Sequence, residues 1–178
     1  MRTPMLMLAS ALVVATACGS DSTTTPPVSK IVTFTATMTP AGEPGALLGS
    51  PTGSGTFTAT LDTSTNVFTY TATYTGLTSN VNNGHIHGPF VVGGAATSAS
   101  PVLNFDPAVT PGVVFGGFKT ANSGTATGTV TLTAATQFTP TINGDSLRKL
   151  LFAGATYVNI HTVTNGGGEI RAQVTKKP

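Results

Sequence analysis

Short segments in which threonine alternates with large apolar residues recur along this chain, and this alternation restricts the fold more than any other feature. Residues 55–61 (GTFTATL) and 67–74 (VFTYTATY) are two clear examples, and the polar residues 62–66 separate them. A period of two places every second side chain on the same face of a β-strand. The sequence therefore predicts a hairpin of two strands, each buried on one face and exposed to solvent on the other.

Further candidate strands follow, with glycine or proline between them. They are residues 31–38, 85–88, 102–105, 125–133, 156–161 and 169–175. At least seven short strands separated by turns are typical of a β-sandwich or a small barrel. We therefore predict an all-β domain over residues 30–176, with the aromatic side chains Phe57, Phe68, Tyr70 and Tyr74 in its core.

One segment has helical spacing of its apolar residues, Leu147, Leu150 and Leu151. We predict a short helix near residues 145–153, with Asp145 or Ser146 as its cap and Gly154 after its end.

The first residues of the chain have the features of an export signal. Arg2 precedes an apolar run at residues 5–17, which is shorter than the roughly 20 residues that a membrane span needs. The run ends in Ala15-Thr16-Ala17-Cys18, which resembles the lipobox where bacterial prolipoproteins are acylated on cysteine and then cleaved before it. We expect residues 1–17 to be a lipoprotein signal peptide and Cys18 to carry the lipid, with an ordinary secretory leader as the alternative.

Residues 18–29 are rich in serine, threonine and proline, a composition that forms a flexible tether rather than a folded unit. The lipid on Cys18 would then anchor the domain to the bacterial cell envelope. Gly19 is not the aspartate linked with retention in the inner membrane, so a cell with two membranes would carry the protein on its outer membrane.

Composition excludes several classes of function. Cys18 is the one cysteine in the chain, so neither an intramolecular disulfide nor a CxxC motif can form. The formal net charge is +2 with no basic stripe, and we expect no binding to nucleic acid. The GxSxG motif of α/β-hydrolases, phosphate-binding glycine loops and an obvious pair of glycosidase carboxylates are all missing from the sequence.

All three histidines of the chain lie in two short strand-like segments. His85 and His87 form an H-x-H pair, so on a strand they project from one face about 6.6 Å apart, whereas Ile86 points into the core. In the segment 157–162 (YVNIHT), Asn159 and His161 share one face. Three imidazoles that converge with an open position would bind copper or zinc.

Two other interpretations of the histidines stay open. They can hydrogen-bond the loops at one end of the sandwich, or they can contact an organic ligand. Glu169 would supply an oxygen ligand to a metal or hold an imidazole N–H, or it would pair with Arg171, two residues further along one strand face. We assign no catalytic residue.

With these segments laid out, the chain resembles the CHRD domain, named from chordin, in its bacterial lipoprotein form. The resemblance covers about residues 30–175. The residues that carry it are Gly84-His85-Ile86-His87-Gly88-Pro89, Leu151-Phe152-Ala153-Gly154, Tyr157-Val158-Asn159-Ile160-His161-Thr162 and Gly167-Gly168-Glu169-Ile170-Arg171-Ala172-Gln173, with Glu43-Pro44 as an acidic-proline element near the start.

The resemblance implies an immunoglobulin-like Greek-key sandwich or barrel, distantly similar to copper/zinc superoxide dismutases. His85, His87 and His161 resemble the copper ligands of those enzymes in order, whereas the zinc-bridging histidine has no counterpart, because the chain has no fourth histidine. Gly88, Pro89, Asn159 and Arg171 support the motifs around this site.

We therefore favour a non-enzymatic, lipid-anchored module outside the cytoplasm that binds an envelope or extracellular protein or glycan, or that supports the envelope. The alternative is a copper-binding redox protein of the superoxide dismutase type, using the three histidines.

Overall fold

The structure is a computed structural model that describes residues 30–90 and 98–178 of the chain. The predicted signal peptide, the tether and the lipidation site Cys18 lie outside the described residues. Within these two ranges, the structure contains no helix of the length and apolar character that a membrane span requires.

Ten strands form two sheets in which every paired neighbour is antiparallel, and one short α-helix lies beside them in the described part of the chain. The first sheet has the order β10-β1-β2-β3-β7-β6, and the second has the order β5-β4-β8-β9. This arrangement confirms the predicted all-β sandwich. The elements are β1 (Ile31–Met38), β2 (Ser54–Asp62), β3 (Val67–Thr75), β4 (Val81–His87), β5 (Pro101–Asn104), β6 (Val114–Phe115), β7 (Gly124–Thr131), α1 (Gly144–Phe152), β8 (Tyr157–Thr162), β9 (Ile170–Gln173) and β10 (Thr175–Lys176).

The core lies between the two sheets and is rich in aromatic side chains. The four aromatic residues predicted to be internal are fully or almost fully buried, which confirms their role in the core: Phe57, Phe68, Tyr70 and Tyr74. Tyr70 of the first sheet stacks on Phe105, which follows β5 of the second sheet, with ring centroids 5.0 Å apart. Such offset aromatic pairs add to the stabilisation that burial provides.

The outer face of the first sheet is lined with threonine because the alternation is in register across four strands. Three cross-strand rows result: Thr33-Thr60-Thr69-Thr129, Thr35-Thr58-Thr71-Thr127 and Thr37-Thr56-Thr73-Thr125. The β-branched side chain suits an extended, half-exposed strand. The repeated threonines of the sequence therefore form the solvent-exposed face of the first sheet.

The helix occupies the predicted position, but its cap differs from the prediction. Helix α1 begins at Gly144 after Asn143, whose side-chain oxygen accepts a hydrogen bond from the backbone N–H of Ser146 at 3.0 Å. Asp145 and Ser146 are inside the first turn, so the expectation that one of them caps the helix was wrong. Asparagine is as good a cap as either, and it satisfies an N–H that the helix itself leaves unpaired.

Strand β4 is longer than predicted, beginning at Val81 instead of His85. The polar stretch before His85 hides this extension, yet Gly84 belongs to the strand and faces the core. A side chain there would collide with Ile160 and Phe105, each 2.9 Å from the position of an added Cβ. Glycine is therefore required by the close packing between the sheets.

Candidate metal centre

The pairing of β4 with β8 brings the three histidines together. In this antiparallel ladder His85 is opposite Asn159, Asn83 is opposite His161, and His87 is opposite Tyr157. His161 is thus diagonal to His85 on the outer face of the second sheet, within reach of long side chains. Ile86 points to the core and is completely buried, as predicted.

The imidazole nitrogens converge on one small volume. Nδ1 of His85 lies 3.1 Å from Nε2 of His161. One nitrogen from each of His85, His87 and His161 lies within 4.8 Å of the other two. Two nitrogens that bind one ion through bonds of about 2.0–2.1 Å in a tetrahedral site are about 3.3–3.4 Å apart. The separation of the first pair is close to this value.

Backbone carbonyl groups orient two of the rings. Nδ1 of His87 donates to the carbonyl oxygen of Ala99 at 2.8 Å, and Nδ1 of His161 donates to that of Gly166 at 3.0 Å. Both rings therefore direct a lone pair at Nε2 towards the cluster. Nε2 of His87 is buried and has no hydrogen-bond partner among the described residues. A buried ring nitrogen with a free lone pair and no donor nearby is suited to binding a cation.

Burial keeps the three imidazoles neutral. The exposed fraction is 7% for His85, 7% for His87 and 9% for His161. Burial, together with the neighbouring rings of His161 and His87, lowers the pKa of His85 to about 3. Burial also lowers the pKa of His87 to about 4, against the hydrogen bond to Ala99, and it lowers the pKa of His161. Neutral imidazole is the form that binds metal, so no proton has to leave near neutral pH.

A stack of flat groups covers one side of the cluster. The ring of Tyr157 lies parallel to that of His87, with centroids 4.6 Å apart and an interplanar angle of 6°. The guanidinium of Arg171 lies 4.1 Å from the centroid of Tyr157 and 4.9 Å from that of Phe90. Arg171 is largely buried in this stack, where cation–π attraction holds it in place.

Glu43 reaches the same face from the loop after β1. Its Oε1 accepts a hydrogen bond of 2.6 Å from Nδ2 of Asn159. Burial raises the pKa of Glu43 to about 7, although the charge of Arg171 acts in the opposite direction. Glu43 was not predicted as a site residue. The signal that would have identified it is its place in the acidic-proline element of the family resemblance.

His87 is the member of the cluster that lines a cleft of about 450 Å³. His87, Tyr157, Asn159 and Arg171 line it from the sheet, and the loops that carry Glu43, Leu48 and Gly168 close it from the other side. Its size suits a small molecule rather than a protein segment.

Glu169 lies away from the three histidines and outside their cluster. It precedes β9 instead of belonging to it, and its carboxylate accepts hydrogen bonds from Thr78, Thr162 and Asn165. Thr162 is on the opposite face of β8 from His161. The carboxylate therefore joins loops at the end of the sandwich.

Gly88 and Pro89 form the turn that leaves β4, and the peptide bond between them is cis. A side chain at Gly88 would approach the carbonyl oxygen of Ala155 to 3.0 Å. Glycine therefore lets the chain pass close to the end of α1 immediately after His87.

Comparison with known proteins identifies one family. A family model described as the CHRD domain matches residues 34–174, which is most of the chain. No curated protein matches this chain. No solved structure matches it either.

Proposed function

The chain belongs to the CHRD domain family, and on that premise we propose that it is a metal-binding module in which His85, His87 and His161 hold one copper or zinc ion. The observation that carries this proposal is the convergence of the three imidazole nitrogens within 4.8 Å of one another. Such a set of ligands leaves at least one position open on the ion.

The donor set fits either metal. Imidazole nitrogen binds both copper and zinc well, and hydrogen bonds to the carbonyl groups of Ala99 and Gly166 hold two of the rings in the required tautomer. A bound copper ion would supply one-electron chemistry, and a bound zinc ion would supply a Lewis acid. The residues of the chain would bind and orient the ion, and the ring of Tyr157 stacks on that of His87.

We further propose that the module is exported and held on the cell envelope by a lipid on Cys18. The support is the apolar run that ends in a lipobox-like sequence, followed by a polar tether. Metabolic labelling with a palmitate analogue tests this proposal. Label and membrane association should both be lost in Cys18→Ser, and label that persists in that variant would contradict it.

A specific observation favours a second candidate, a structural module that needs no metal. Nδ1 of His85 and Nε2 of His161 lie 3.1 Å apart, which also suits a direct hydrogen bond between two neutral rings. In that case the histidines stabilise the sheet, and the module contacts an envelope or extracellular protein or glycan through other surfaces.

Titration calorimetry of the full chain with Zn²⁺ and with Cu²⁺ separates the two candidates. All samples carry Cys18→Ser, so that the thiol does not compete for metal. We expect one ion per chain with a dissociation constant below the micromolar range, and loss of binding when the three histidines become alanine.

Ile86→Val is the matched control, because it weakens the same strand by about 0.5–1.5 kcal/mol without touching an imidazole. It should bind metal like the wild type. Binding that survives in the triple variant, or no binding to the wild type, would refute the metal-binding proposal.

A further inference from the structure

Within the described ranges, Asn159 has a buried hydrogen-bond acceptor without a donor, as His87 does. Its side chain is 2% exposed, and Oδ1 has no hydrogen-bond partner among the described residues. A buried carbonyl oxygen without a partner destabilises the folded state. An amide oxygen in this state is suited to a donor or a cation that the described residues do not provide.

The orientation of this amide is fixed by its other end. Nδ2 donates to Oε1 of Glu43 at 2.6 Å. Gly168 packs against the same group, and an added side chain there would overlap both Nδ2 and the Glu43 carboxylate. Rotation of the amide would break the hydrogen bond to Glu43. Oδ1 is therefore held on the side away from Glu43.

The register places Asn159 among the histidines. It is directly opposite His85 on β4 and two residues before His161 on the same face of β8. Directly opposite residues have Cβ atoms about 4.5–5.5 Å apart. Nε2 of His87 also lacks a hydrogen-bond donor in the described part of the chain and lies on the same face of the second sheet. One cation bound between these two buried acceptors would satisfy both.

We propose that Asn159 is the fourth ligand of this metal site and contributes its amide oxygen beside the three imidazoles. This inference rests on the proposed function and narrows the choice of ion. Carbonyl oxygen is a hard donor, whereas Cu⁺ is selected by soft sulfur ligands. A set of three nitrogens and one oxygen therefore favours Zn²⁺ or Cu²⁺ over Cu⁺.

The test is the ratio of Zn²⁺ affinity to Cu⁺ affinity, measured by chelator competition without oxygen on the full chain with Cys18→Ser. Asn159→Ala should lower Zn²⁺ affinity by at least about tenfold and leave Cu⁺ affinity within about threefold. Ile86→Val is the matched control, because it changes the core face of the neighbouring strand and alters neither Asn159 nor an imidazole. Its ratio should equal that of the wild type.

A second measurement needs no variant. The side-chain NH₂ resonances of Asn159 in the NMR spectrum should shift on addition of Zn²⁺, because coordination at Oδ1 polarises the amide. Unshifted resonances in a chain saturated with zinc would overturn the assignment, even if Asn159→Ala failed to fold.

The outcomes separate this inference from the proposed function. Equal Zn²⁺ affinities in the wild type and Asn159→Ala would overturn it while metal binding stands. An equal loss of Zn²⁺ and Cu⁺ affinity would also overturn it, because Asn159 would then only position the histidines. A wild type that binds neither ion would refute the metal site itself.

Discussion

Three consecutive glycines, residues 166–168, precede β9, and the structure requires only the last of them to be glycine. Gly168 has a φ of +126°, whereas neither Gly166 nor Gly167 has a positive φ. A Cβ atom on Gly168 would lie well inside 3.0 Å of Asn159 and Glu43, a separation that real Cβ atoms do not show. A Cβ atom on Gly167 would meet nothing within 4 Å.

We expect Gly168→Ala to lower the free energy of unfolding by about 2–6 kcal/mol. The unfavourable backbone conformation contributes about 1–3 kcal/mol. The overlap with two buried groups contributes about another 1–3 kcal/mol, because neither the strand that holds Asn159 nor its hydrogen bond can shift freely. Gly167→Ala should stay within about 0.5 kcal/mol of the wild type.

Urea unfolding of the full chain, followed by tyrosine fluorescence, measures both changes. Repeating Gly168→Ala in an Asn159→Ala background removes one of the two overlapping groups, so the cost of the substitution should fall towards that of the backbone strain. Equal stability of Gly168→Ala and Gly167→Ala would refute the reasoning. An unchanged cost in the double variant would show that the overlap with Asn159 contributes nothing.

Three further substitutions test buried polar groups by urea unfolding. Burial alone raises the pKa of Glu169, but hydrogen bonds from Thr78, Thr162 and Asn165 outweigh it and hold the pKa below its ordinary value of 4.5. The stability from this carboxylate should therefore be lost as the pH falls below 4.5. Glu169→Gln should lower the free energy of unfolding at neutral pH by about 2–4 kcal/mol and should make it less dependent on pH in the acid range. Burial raises the pKa of Glu43 from 4.5 to about 7, so the folded chain binds this proton more tightly and loses stability as the pH rises across that interval. Glu43→Gln should not show this decline, and a decline equal to that of the wild type would contradict the assignment. Tyr70→Phe removes a buried hydroxyl without a partner among the described residues, so stability should stay constant or rise by about 1 kcal/mol, and a loss above about 2 kcal/mol would reveal a hidden partner.

The strands with strict alternation were predictable, because a period of two is a local property of the sequence. Strands β2 and β3 begin and end within one residue of the predicted limits. Strand β4 was predicted only from His85, because its first half is polar and contains Gly84. What makes that half a strand is packing against Ile160 and Phe105, which are distant in sequence.

The candidate site was predictable in its histidines and not in its surroundings. The H-x-H spacing placed His85 and His87 on one face, but only the pairing of β4 with β8 decides that His161 lies diagonal to His85. The sequence suggested Glu169 as an oxygen ligand or as a partner for an imidazole N–H, with Arg171 as its alternative partner. The carboxylate that contacts Asn159 on this face is instead that of Glu43, more than a hundred residues earlier.

The candidate metal ligands lie on the outer face of the second sheet, whereas the side chains that form the core lie on its inner face. The inner face of the same strands carries Ile86, Val158 and Ile160, all completely buried in the core. These apolar side chains stabilise the sandwich through burial, at about 1.5–3 kcal/mol each. The three imidazoles are not part of that core. Their arrangement can therefore suit a ligand without changing the packing of the core. Metal should therefore raise the stability of a chain that already folds without it, by an amount that grows with the logarithm of metal concentration. A chain that unfolds on chelation would instead place the ion in the folding of the domain itself.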